Sequence, residues 1–374
     1  MRLFLLNYLL LLSICVVRAQ ERSDFYFTHV NGENGLSASN VKAILQDSYG
    51  FMWFGTKNGL NRYDGTSILQ FDCDDLEEGT GNHNIGALFE DKERNLWVGT
   101  DRGVYIYNPA VDVFKRFKIA SSEGITLDNW VAEILSDSLD NIWVLIPDQG
   151  LFRYKDGKVH HYSLLDKDNL KNDKPEWICI NEQCEVWIGT SGVSLFKYNY
   201  RDDKFEQYLA DRMGRSLIGK TIISICFQKE NAILGIHEGD LLKYNTRTDE
   251  LSEVSFLGEK KTFLRDVMCF GDEIWVGSLH GIFIINEKEN NVIHLKEDLM
   301  RSFSLSDNSI YSIYKDHEGG IWIGTMFGGV NYLPNRILTF DKYVPGSDSH
   351  SLNTKRIRGL AEDNNGCIWI GTED

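Results

Sequence analysis

Short apolar segments alternate with polar turns along the chain, and the unit they build recurs. Val41-Lys42-Ala43-Ile44-Leu45 reads as a strand, Asp47-Ser48-Tyr49-Gly50 as a tight turn, and Met52-Trp53-Phe54-Gly55-Thr56 as a second strand. The Asp carboxylate can accept backbone N–H bonds within such a turn, and its Gly tolerates positive φ. Alternation of period two in the second strand sends the Trp to one face and its neighbours to the other. A second Gly, as in Lys57-Asn58-Gly59, turns the chain into a third strand ending at Tyr63. A looser fourth strand ends in aromatics such as Phe114…Phe117 or Phe205…Tyr208.

The Trp strand returns as Leu96-Trp97-Val98-Gly99-Thr100, Val186-Trp187-Ile188-Gly189-Thr190, Ile274-Trp275-Val276-Gly277-Ser278, Ile321-Trp322-Ile323-Gly324-Thr325 and Ile368-Trp369-Ile370-Gly371-Thr372. Two degenerate copies fill the gaps: Ile142-Trp143-Val144-Leu145-Ile146, and Ala232-Ile233-Leu234-Gly235-Ile236, where Ile233 replaces the Trp. Spacings at the Trp position are 44, 46, 44, 46, 42, 47 and 47 residues. A period this even marks a repeat architecture, and four short antiparallel strands per period make one propeller blade. The expected fold is therefore all-β: a seven-bladed β-propeller of four-stranded antiparallel blades, plus the beginning of a second propeller. Residues 20–336 form the first propeller on this reading and residues 337–374 start the second. Phe25-Tyr26-Phe27-Thr28-His29-Val30 has a strand pattern and is expected to close the ring as the last blade's fourth strand. Leu338-Thr339-Phe340-Asp341-Lys342-Tyr343 stands in the same place before the eighth repeat.

Residues 1–19 stand apart. A short basic start, an apolar run from Leu3 to Val17 and a Val17-Arg18-Ala19 cleavage site read as a secretory signal. The expectation is an exported, periplasmic chain, with the membrane reached only through an uncleaved signal or through sequence beyond this chain. The formal net charge is −16, and loss of Arg2 and Arg18 makes it more negative. Such a balance repels nucleic acid and anionic lipid, so neither is expected as a partner. Asp72, Asp74, Asp75, Glu77 and Glu78 lack calcium-loop spacing and read as a solvated turn.

Of the cysteines after the signal, Cys179, Cys226 and Cys269 fall near the ends of innermost strands, where a thiol acts as a small buried hydrophobe. Cys179 and Cys184, facing each other across a turn, are the one pair placed for a local disulfide. Cys73 and Cys367 complete the set. With no C-x-x-C and no metal-ligand spacing among the histidines, neither a metal nor a cofactor is expected.

The phrase running from Leu36-Ser37-Ala38-Ser39-Asn40-Val41 through Asp47, Gly50-Phe51-Met52-Trp53-Phe54-Gly55-Thr56-Lys57-Asn58-Gly59-Leu60 to Asn61-Arg62-Tyr63-Asp64-Gly65 closely resembles the opening repeat of the two-component regulator propellers. These form the periplasmic sensor regions of hybrid two-component systems in Bacteroidetes, and the resemblance covers nearly all of the chain after the signal. Departures are local: Leu145-Ile146 for Gly-Thr, Ile233 for Trp, and Phe227 and Cys269 where other copies carry the Asp. The resemblance implies a sensor of polysaccharide fragments, working as a homodimer in a full-length receptor whose histidine kinase lies elsewhere. On that reading the chain, ending at Asp374 inside its eighth repeat, is a truncated sensor region.

No catalytic constellation is present: there is no H-E-x-x-H and no G-x-S-x-G. The Gly-Thr-x-x-Gly loops lead from strand to strand and offer no helix N-terminus to a phosphate. Seven Trp residues belong to the repeat, leaving Trp130 and Trp177 near the starts of innermost strands. They are expected on the face that carries the loops after the Trp strands, where an indole can stack on a sugar ring or, alternatively, cap the layer between blades. Lys57, Asn58, Asp101, Arg102, Asp148, His237, Glu238, His280 and Phe327 occupy those loops and complete the candidate ligand site. An oligosaccharide is the expected ligand. A propeller lyase using His237, Glu238 and His280, and an interaction scaffold, are the alternatives.

Overall fold

The computed structural model describes residues 25–72, 84–118, 124, 126–162, 174–209, 220–256, 262–335, 343, 352–354 and 356–373. The leader, Cys73, the acidic residues Asp74 to Glu78 and all but Tyr343 of the second ring-closing segment lie outside them.

Seven four-stranded antiparallel sheets form the ring. Their innermost strands are Val41–Gln46, Ile85–Glu90, Glu133–Ser136, Pro175–Ile180, Ile222–Gln228, Leu264–Phe270 and Ile310–Lys315, blades 1 to 7 in order. Each touches its neighbours around the axis, and blade 7 meets blade 1. Closure follows the expected scheme. Thr28–Val30 pairs with Val330–Leu333, Thr28 opposite Tyr332 and Val30 opposite Val330, and so supplies the outermost strand of blade 7. Phe27 is buried in the layer between blades 6 and 7, which fastens the chain's beginning to its last blade. The eighth repeat gives a hairpin, Ile357–Glu362 with Ile368–Thr372.

Apolar layers between neighbouring blades hold the ring. Six of the seven are built around one repeat Trp: Trp53, Trp97, Trp143, Trp187, Trp275 or Trp322. In four blades the Asp six residues earlier does two things at once. Asp47 Oδ1 accepts the N–H groups of Tyr49 and Phe51, while its Oδ2 accepts Trp53 Nε1 at 2.7 Å. Asp137 binds Trp143 and Asp316 binds Trp322 in the same way, and Asp91 holds Trp97 at 2.8 Å. The turn and the indole are thus fixed by one carboxylate, a link the repeat spacing alone does not reveal. In blade 6, Glu273 takes over and accepts Trp275 Nε1 at 2.9 Å.

The Gly two residues after the Trp has a steric cause. A β-carbon on Gly55 would lie 2.5 Å from the Ile85 side chain of the next blade, and one on Gly99 2.6 Å from Val131. Blade 3 departs at both partners together: Leu145 stands in the Gly position, and Pro175 of blade 4 stands where the neighbouring blades carry Ile or Val. The bulk has moved from one side of the contact to the other.

Two expectations for cysteine are corrected. Cys226 and Cys269 form a disulfide between blades 5 and 6, whereas Cys179 and Cys184 are free thiols. Phe227 and Cys269 lie within strands instead of in a turn, because both blades connect their first two strands through two-residue turns, Lys229-Glu230 and Gly271-Asp272. Lys229 and Gly271 take positive φ there, as such tight hairpins require.

Candidate functional site

In six of the seven blades the innermost strand carries a β-bulge at its second residue: Lys42, Gly86, Glu176, Ile223, Arg265 and Tyr311. A bulge leaves one residue out of the ladder and re-aims its side chain. Here it brings Lys42, Arg265 and Tyr311 together at the mouth of the central channel, whereas Ile223 packs against the layer between blades 5 and 6. Lys42 of blade 1 places its Nζ 4.6 Å from the ring centroid of Trp130, which precedes blade 3, and 5.9 Å from that of Tyr311 in blade 7. The Arg265 guanidinium of blade 6 lies 5.6 Å from the same Tyr311 ring. Gly86 makes room for the indole: a β-carbon there would meet Trp130 ring carbons at 2.6 Å.

The loops after the Trp strands surround this mouth. Thr56 closes the first by donating to Gly59 O at 3.0 Å and accepting Asn58 N–H; Thr100 and Ser278 do the same for Arg102 and His280. Lys57 and Asp101 donate their backbone N–H to Asn40 O and Asn84 O at the entries of the innermost strands. Loop tips and channel entrance are therefore one hydrogen-bonded unit, with Lys57, Asn58, Asp101 and Arg102 exposed on it.

The remaining expected residues divide. Asp148 is exposed and paired with Lys174 at 2.8 Å. His237 Nδ1 lies 4.0 Å from Glu238 and its ring 5.0 Å from Phe263. His280 Nδ1 is 2.6 Å from Thr262 Oγ1, its carbonyl is bound by His294, and no hydrogen bond or ion pair joins it to His237 or Glu238 among the described residues. Phe327 is exposed, its N–H held by Asp307. Trp177 is the third residue of its strand, opposite Gly189, and packs partly buried against the layer between blades 4 and 5. Trp130 alone of the two indoles is brought together with the charged residues of the mouth.

Sequence reasoning missed Lys42, Arg265, Tyr311 and Glu133. For the first three the signal available was a polar or bulky residue at the second place of an otherwise apolar innermost strand. Burial, then repulsion by Arg265 and Lys57, lowers the Lys42 pKa, with Asp101 partly offsetting. One residue further along the strands the polarity changes. Burial pushes the Glu133 carboxyl up to about 8, with Asp266 adding to the rise, and pushes Asp266 up to about 6. Asp266 reaches that value although it accepts bonds from Ile313 N–H, Ser224 Oγ and Val267 N–H. The channel mouth thus sets Lys42 and Arg265 beside aromatic rings, with Glu176 at the matching bulge of blade 4, above carboxyls that burial favours in the neutral form.

The family described as two component regulator propeller matches residues 35–58, 79–102, 304–327 and 351–374. A protein called histidine kinase P4, from Formosa agariphila, is 25% identical over 158 residues, covering 40% of this chain and 12% of that protein. Among solved structures, the extracellular domain of BT3049 from B. thetaiotaomicron, described as a hybrid two component system, has a TM-score of 0.72 at 25% identity. It covers 93% of this chain and 47% of its own. The extracellular domain of BT4673 from the same organism has a TM-score of 0.70 at 22% identity, covering 93% and 44%, and shows the shared fold. The chain spans about half the length of these structures and a small part of the histidine kinase.

Proposed function

The chain carries two-component regulator propeller repeats, and from that premise we propose that it is the extracytoplasmic sensor region of a hybrid two-component signalling protein that recognises an oligosaccharide at the channel mouth. One observation carries the ligand class. Exposed polar side chains of the mouth loops, Lys57, Asn58, Asp101 and Arg102, stand around the entrance where Lys42 meets the rings of Trp130 and Tyr311. Donors and acceptors held ready beside the aromatic rings of Trp130 and Tyr311 suit a ligand that offers hydroxyls at its edges and C–H groups on its faces.

The Cys226–Cys269 disulfide supports export, since such bonds persist in oxidising compartments. Neighbours that are extracellular domains support the same placement. Ligand binding here would bias a kinase carried elsewhere in a homodimeric receptor. The test is calorimetric titration of the folded chain with a panel of oligosaccharides from complex polysaccharides. Saturable heat from one class is expected; no heat from any member, with the fold intact, overturns the reading.

A further inference from the structure

We propose that Lys42 and Arg265, walled by Tyr311 and Trp130, form a binding site for the anionic group, carboxylate or sulfate, of an acidic sugar. This deepens the oligosaccharide reading above and rests on it for the sugar, but not for the anion.

The charge arrangement argues first. Lys42 and Arg265 come from blades 1 and 6 onto one Tyr311 ring. No carboxylate forms an ion pair with either among the described residues, although the chain as a whole has a net charge of −16. Elsewhere the basic side chains of this protein find acids readily, as in Lys92–Asp140, Arg153–Asp203 and Lys288–Asp272. Two like charges held close, with Asp101 only partly offsetting them, raise the free energy of the unliganded protein, and repulsion by Arg265 is one cause of the lowered Lys42 pKa. The aromatic faces attract the cations but do not neutralise them.

The fold argues second. Both cations occupy the bulged second position of an innermost strand, so their direction is set by the backbone and not by a mobile loop. Arg265 Nε is buried and has no partner within the protein, so no internal acceptor occupies that edge of the guanidinium. A carboxylate or sulfate matches a guanidinium fork, and charge-assisted bonds of this kind are about twice as strong as neutral ones. Asn40 and Asn84, partly exposed at the entries of the innermost strands of blades 1 and 2, can take hydroxyls of the same sugar.

Three probes test this at constant ionic strength: sodium sulfate, sodium glucuronate, and an oligogalacturonate set beside its carboxyl-reduced counterpart. Binding is read from the change in Trp fluorescence and in thermal midpoint, with sodium chloride as reference. Sulfate and glucuronate are expected to raise the midpoint above the chloride value. Arg265→Met and Lys42→Met should each weaken that binding about tenfold or more, while Lys92→Met leaves it unchanged. Both mouth variants should be at least as stable as the parent without ligand, because repulsion is removed. If neither anion acts beyond chloride, or if both variants bind them as the parent does, the site is refuted. Equal affinity for the oligogalacturonate and its reduced form would also refute the anion inference, yet leave oligosaccharide recognition standing. Anion binding lost in Arg265→Met, with no oligosaccharide bound by any form, would sustain the site and overturn the sugar.

Discussion

Cys226 and Cys269 join the innermost strands of blades 5 and 6 at the one layer of the ring that has no repeat Trp. Ile233 stands there in place of the indole, and both sulfurs pack into the same cluster as its side chain. A covalent bond between neighbouring blades occupies the layer in which every other pair of blades shares an aromatic anchor.

The first prediction follows from that substitution. Cys226→Ala with Cys269→Ala, or reduction of the parent, should destabilise the propeller by about 2–4 kcal/mol. Urea titration with and without reductant measures it. Adding Ile233→Trp to the double variant should restore part of the loss if the layer has room for the missing indole. An unchanged midpoint on reduction would mean that apolar packing alone holds blades 5 and 6 together.

A second prediction separates the two kinds of tryptophan. Trp97 is 2% exposed and bonded to Asp91, so Trp97→Ala should cost about 3–5 kcal/mol. Asp316→Asn keeps an oxygen for the turn but loses the acceptor of Trp322 Nε1, and should cost about 1–3 kcal/mol. Trp130 is only half-buried, and Trp130→Ala should cost about 1 kcal/mol. Guanidinium titrations of the three variants give the order, and a Trp130 loss equal to that of Trp97 would assign its indole to the core.

The third concerns pH. Glu133 titrates at about 8 in the folded chain, well above an ordinary glutamate. Between the unfolded value, about 4.3, and the folded one, the unfolded state gives up its proton while the folded state keeps it. Stability must therefore fall as pH rises through that window and level off above it. Asp266, raised to about 6, adds to the lower half of the fall. Asp137 and Asp203 are depressed and act in the opposite sense, their contributions fading only as pH drops below the ordinary aspartate range. Glu133→Gln should flatten the profile between pH 5 and 8 and leave the variant more stable than the parent at about pH 8. Thermal midpoints across that range decide it, and parallel profiles for parent and variant would count against a protonated Glu133.

How far the sequence carried the fold depends on what repeats. Trp97 and Gly99 were legible because each copy meets the same neighbour: the indole fills a layer, and the Gly admits the next blade. Closure by Thr28–Val30 was legible for the same reason, since seven Trp strands before a second entry segment leave one outer strand unsupplied. The disulfide was not. Counting back from the Trp position sets Cys269 at the strand end where other copies carry the Asp, whereas the two-residue hairpin at Gly271-Asp272 keeps it inside the strand and opposite Ile274. The mouth residues were hidden differently. Lys42 and Arg265 look like ordinary charged positions beside apolar neighbours, and only the bulge shows that they share one ring. A contact between blades 1 and 6 leaves no trace in local periodicity.

The last prediction concerns the face that binds. Trp130, Lys42 and the loops carrying Lys57 and Asp101 lie at one mouth, tied together through Asn40 and Asn84. The Asp turns lie at the other end of the strands, where Glu93 is exposed. A sugar stacked on an indole gains about 0.5–1.5 kcal/mol beyond area burial, by analogy with aromatic pairs. Trp130→Ala should therefore weaken an oligosaccharide that binds the parent by roughly two- to tenfold, and Glu93→Ala should leave it unaffected. Trp177→Ala separates a mouth residue from a packing one: its indole sits against the layer between blades 4 and 5, so stability should fall more than affinity. Calorimetry on the three variants, each first checked for its thermal midpoint, makes the comparison. Binding lost in Glu93→Ala and kept in Trp130→Ala would move the site to the opposite face.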